Sequence, residues 1–113
     1  MNLIKDTVLN NNSNFTPTEF YLSQNYPNPF GDTTTIKFCV AYKTKVKLEV
    51  FNSDGEIIKT LLDEEKEAGT YEVEFNGTGM PEGFYSYQLQ AGDFLDRIKM
   101  LKIKLCVYQK GKN

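Results

Sequence analysis

Along most of the chain, apolar and polar residues alternate one for one, the period of strands that bury one face. In "TTTIKFCV", residues 33–40, Ile36, Phe38 and Val40 share a face. In "KVKLEVFN", Val46, Leu48 and Val50 point one way while Lys45, Lys47 and Glu49 point the other. "NSDG" at 52–55 is a turn and "EIIKTLL" the returning strand, and so short a connection makes an antiparallel hairpin. "EEKEAG" reads as an acidic loop closed by Gly69, after which "TYEVEF" puts Tyr71, Val73 and Phe75 on one side. "NGTGMPEG" is a second turn. "FYSYQLQA" turns Tyr85, Tyr87 and Leu89 inward and Ser86, Gln88 and Gln90 outward. Gly92-Asp93 leads into "FLDRIKMLKIKLCVY", expected as the last and longest strand, with Ile98 and Met100 inward and Arg97, Lys99, Lys102 and Lys104 outward. Its alternation slips between Met100 and Leu101, which predicts a bulge or a second buried face.

Six to seven short strands, turn signals at regular spacing and no helical period predict an all-β fold, an antiparallel β-sandwich. The strand pattern begins at Phe20; "NNNSNFTPTE" before it is polar and without period, so residues 1–19 read as a disordered linker or tail. Residues 20–105 form the domain and 106–113 a C-terminal extension.

Charge narrows the range of functions. Thirteen basic against fifteen acidic residues give a net charge of −2, without the basic footprint that nucleic acid requires. No run approaches the ~18 apolar residues of a membrane-spanning helix. The start, "MNLIKDTVLNNNSNF", does not read as a signal peptide, because Asp6 and the asparagines interrupt the apolar stretch. The chain contains no histidine, which removes the usual parts of triads and zinc sites. Asp63, Glu64, Glu65 and Glu67 are consecutive acids around Lys66, a solvated loop and not a calcium loop with spaced ligands. Glu72 and Glu74 share an outward face, with no cleft implied for a catalytic carboxylate pair. The reading is non-enzymatic, with no cofactor, metal or small-molecule substrate. Cys39 and Cys106 read as separate thiols, with a single bridge in an oxidising compartment as the alternative. From Arg97 to Lys112 the chain carries six positive charges, either a gatekept edge or a docking strand.

Ahead of the first long strand stands "QNYPNPFGD". Two prolines fix φ, hold the residues before them extended and exclude helix. Phe30 is then placed to cap the open end of the sandwich, and the Asn28 side chain to satisfy backbone groups of the turn.

Taken in order, Asn25-Tyr26-Pro27-Asn28-Pro29-Phe30, the strand start Thr33–Ile36, Gly55, Ala68-Gly69, Asn76-Gly77, Gly83-x-Tyr85 and Lys99-Met100 resemble the C-terminal sorting domain (Por secretion tail) of the type IX secretion system of Bacteroidetes and related phyla. The resemblance covers residues 17 to 104. The domain is also similar to the Ig-like domain of the flagellar hook-capping protein, which implies an Ig-like sandwich. The resemblance implies a non-enzymatic export label that directs an N-terminal cargo through the periplasm to the cell surface. Its implied partners are the outer-membrane translocon and sortase proteins. Asn28, Pro29 and Phe30 match the segment where the linker ends and the domain begins. Arg97, Lys99, Met100, Lys102 and Lys104 match the part held to be read by the translocon. The same fold admits a second role, a structural accessory module of an extracellular or flagellar assembly. Gly31 replaces a common asparagine of the family and Phe75 a common tryptophan.

Overall fold

The computed structural model describes residues 18–104. The linker expected at the N-terminus, the C-terminal extension and Cys106 lie largely or wholly outside the described residues. Seven strands run in chain order: β1 (Tyr21–Leu22), β2 (Thr33–Val40), β3 (Thr44–Phe51), β4 (Ile57–Lys66), β5 (Gly69–Asn76), β6 (Gly83–Ala91) and β7 (Phe94–Lys102). They form two antiparallel sheets, β1-β2-β5 and β4-β3-β6-β7, and the described residues are all-β, as the alternation predicts.

The core lies between the sheets, where the inward faces meet. Ile36, Phe38 and Val40 of β2 are fully buried, as are Val46, Leu48 and Val50 of β3 and Tyr87, Leu89 and Ala91 of β6. The β3–β4 turn is closed by Asn52, whose Oδ1 accepts from Asp54 N at 3.0 Å and Glu56 N at 2.9 Å. Gly55 at φ 85° supplies the left-handed conformation that turn needs.

Two strand expectations are corrected. The acidic stretch is mostly strand: β4 continues through it to Lys66, with Lys47 opposite Asp63 and Lys45 opposite Glu65, and only Glu67 and Ala68 are left as the connection to Gly69. Lysines across the ladder make this tolerable, with Lys45 Nζ 3.6 Å from Asp63 and Lys43 Nζ 3.9 Å from Glu65 and 3.6 Å from Glu67. Lys66 itself lies 2.8 Å from Glu64, and that hydrogen bond holds its ammonium above the ordinary lysine range. At ten residues β4 is also longer than the nine of β7 among the described residues.

Of the two readings of the slip near Met100, a bulge or a second buried face, the bulge is absent: β6 and β7 pair without interruption from Gly83↔Lys102 to Ala91↔Phe94. The irregularities fall instead between Leu48 and Glu49 and between Val50 and Phe51, where β3 meets β4. Leu101, half-buried on the outer face opposite Phe84, has its main-chain groups bonded by a neighbouring segment.

Candidate functional site

That segment is residues 23–30, which straddles the two sheets. Its first half belongs to β2: Ser23 N donates to Lys37 O at 3.0 Å, and Tyr26 exchanges two 2.9 Å bonds with Thr35. Its second half belongs to β7. Asn28 Oδ1 accepts from Leu101 N at 3.0 Å, Phe30 N donates to Leu101 O at 3.0 Å, and Ile103 N donates to Phe30 O at 2.9 Å. Gln24 Nε2 adds a bond to Lys99 O at 3.0 Å. The peptide bonds before Pro27 and Pro29 are both cis. Asn28 therefore satisfies the last strand and not its own turn, and Phe30 at 1% exposure fills the end of the core against Phe75. Gly77 makes room for it: a Cβ there would lie 3.1 Å from the Phe30 ring and 3.4 Å from the Lys102 stem.

Beneath this segment is a polar cluster that sequence reasoning missed. Asn25 is 2% exposed, and its Nδ2 donates to Thr34 Oγ1 at 2.9 Å and Pro27 O at 3.2 Å. Thr34 in turn donates to Pro27 O at 2.8 Å, and the Tyr87 hydroxyl donates to Ser23 O. Burial pushes the Tyr87 phenol well above the ordinary tyrosine range. A lone asparagine ahead of two prolines reads as a loop residue; only its partner Thr34, an inward position of β2, hinted otherwise.

β7 is an edge strand of the four-stranded sheet, and it presents the expected docking residues unequally. Arg97, Lys99 and Lys104 are exposed. Met100 is 1% exposed and Ile98 half-buried, both inward as expected. Lys102 was expected outward and is not. It keeps the parity of Met100 and is 6% exposed, its stem passing Gly77 and its ammonium 3.5 Å from Ile103 O. A lysine tolerates this because its methylenes pack while the charged tip reaches the rim, here a cleft shared with Asp32, Met80 and Glu82. Lys104 N donates to Glu82 Oε2 at 3.0 Å.

The Arg97 guanidinium carbon sits over the Phe51 ring, 4.0 Å from its centroid. Its Nε and Nη2 both donate to Gln88 Oε1, at 3.2 and 3.1 Å. Lys99 Nζ lies 5.2 Å from the centroid of Phe84. Lys37, Lys43, Lys45, Lys47 and Lys66 each face a carboxylate within 4.0 Å, whereas no ion pair joins Arg97, Lys99, Lys102 or Lys104 to another described residue.

The described residues thus form a two-sheet antiparallel sandwich whose leading segment is bonded to a basic edge strand. The family described as "Secretion system C-terminal sorting domain" matches residues 24–104, from the first residue bonded to β7 to the last described one. The chain belongs to that family, the type IX secretion sorting tails. Its domain is that of a C-terminal sorting signal, and the family is not an enzymatic one. That role implies contact with the type IX machinery, an N-terminal cargo and export to the cell surface or outside. No curated protein and no solved structure matches the chain.

Proposed function

We propose that residues 20–105 label a cargo carried N-terminal to them for passage through the outer-membrane type IX translocon, with residues 1–19 as the linker. The family match over residues 24–104 carries this reading. The basic edge strand gives it a contact surface: Arg97, Lys99 and Lys104 are read directly, while Met100 and Lys102 hold the strand from inside. Asn28, Pro29 and Phe30 mark the boundary between linker and domain and fasten it to that strand. The cargo transits the periplasm, and sortase proteins act downstream of the translocon.

The test fuses residues 16–113 behind a signal peptide and a fluorescent reporter in a type IX-competent bacterium. The reporter is expected on the cell surface or in the medium. Retention in the periplasm of cells that export a control cargo overturns the proposal.

A further inference from the structure

Arg97 is held more firmly than an exposed arginine needs to be. Its guanidinium carbon rests over an aromatic ring, and two of its donors are fixed on one amide oxygen. The group does not fold back onto a carboxylate: Asp96 Oδ1 accepts from the Arg97 main-chain N at 2.9 Å, and Glu49 pairs with Lys47 at 3.8 Å. Its remaining donors have no partner among the described residues and are already oriented for a second one, so less rotamer freedom is lost on binding than a free side chain would lose. Beside it on the same outer face stand Lys99 and the apolar side chains of Phe84 and Leu95, 54% and 60% exposed. Oriented arginine, aromatic and aliphatic surface together are the composition of a protein interface core.

The strand edge beyond is closed over half its length. Lys99 O, Leu101 N, Leu101 O and Ile103 N are already bonded to residues 24–30. A partner therefore cannot add a strand along the basic end of β7 and must cover its outer face.

We infer that the outer face of β6 and β7 docks an acidic, partly apolar protein surface, with a partner carboxylate received by the Arg97 guanidinium and with Phe51 and Gln88 as its positioning residues. This rests on the sorting reading and specifies the contact within it. Charge complementarity selects the occupant, since these cations lack carboxylate partners among the described residues, whereas Lys45 and Lys47 of β3 and Lys66 of β4 have them. A second copy of the same face would oppose cation to cation.

The experiment places Arg97→Lys, Arg97→Gln, Gln88→Leu and Lys45→Gln in the reporter fusion and takes a urea melt of each chain. A planar fork and a point charge are not equivalent at a stacked site, so Arg97→Lys is expected to lower surface reporter about tenfold, as Arg97→Gln does. Gln88→Leu is expected to lower it to an intermediate level. Lys45→Gln, which removes a cation already paired with Asp63, is expected to match the parent, and all four to melt like it. Export of Arg97→Lys at the parental level overturns the inference while leaving the sorting reading intact. A parent that is itself not exported overturns the sorting reading and the inference with it. In a second arm the chain is sedimented with phosphatidylglycerol vesicles. It is expected to stay in the supernatant, and Arg97-dependent pelleting would assign the face to a lipid surface instead of a protein.

Discussion

Tyr87 shows how much one buried side chain can decide. Its ring is fully buried and its hydroxyl donates to Ser23 O, joining β6 to the leading segment. Burial raises the phenol's pKa above its unfolded value of about 10, so the folded state favours the neutral form. The sign follows: this contribution is fully present below pH ~10 and is lost as pH rises toward the folded value, at up to ~1.4 kcal/mol per pH unit. Urea melts from pH 8 to 11 should show the parent losing stability above pH ~10 more steeply than Tyr87→Phe. Parallel loss in both would show that Tyr87 does not titrate in this way. Gly77 is a second such residue. Its φ is ordinary and the constraint is space, with the Phe30 ring 3.1 Å from where a Cβ would stand. Gly77→Val is expected to destabilise by about 1–3 kcal/mol through overpacking, read as a lower urea midpoint at unchanged slope.

At the scale of elements, β7 divides into groups that hold and groups that are read. Met100→Ala should cost ~2–5 kcal/mol by opening a cavity in the core. Lys102→Glu should also destabilise, by ~1–3 kcal/mol, because it puts a carboxylate at an inward position that shares a cleft with Asp32 and Glu82. Lys104→Glu, at an exposed position, should cost at most ~1 kcal/mol. Equal melts for the two glutamate variants would refute the inward placement of Lys102. Asn28→Ala should remove the acceptor of Leu101 N for about 1 kcal/mol. Hydrogen exchange should then speed up at Leu101 and Ile103 while Ile98 and Met100 stay protected.

These elements were unequally legible in the sequence. β2, β5 and β6 declare their faces, since each alternates and each packs one side, whereas β3 alternates in sequence but also buries Glu49 and Phe51 on its outward parity. β4 does not: its acids suggest a loop until the lysines opposite them are known, and pairing partners are not a local property. Lys102 follows the parity of Met100, but its charge argued for the outside more strongly than its position argued for the inside. The buried partners of Asn25 were hinted at only by the inward parity of Thr34, and the bonds of Gln24 and Gln88 not at all. Gln24 meets the carbonyl of a residue 75 positions away, and no window along the chain contains both.

For the whole molecule, the two ends of the described chain meet at one strand, and this has a mechanical consequence. Phe30 and Lys102 pair in parallel, and the bonds from Gln24, Asn28 and Phe30 advance in step along β7. A pull on the chain before Gln24, against an anchor beyond Ile103, drives two parallel segments in opposite directions along their common axis. Such a load falls on all these bonds together as shear and does not peel them one by one. In single-molecule stretching from both ends, Asn28→Ala should therefore lower the unfolding force by more than Lys45→Gln does; equal forces would place the resistance elsewhere. The segment that joins the domain to what precedes it is also its strain-bearing clasp, loaded in shear before tension from that side reaches the strands behind.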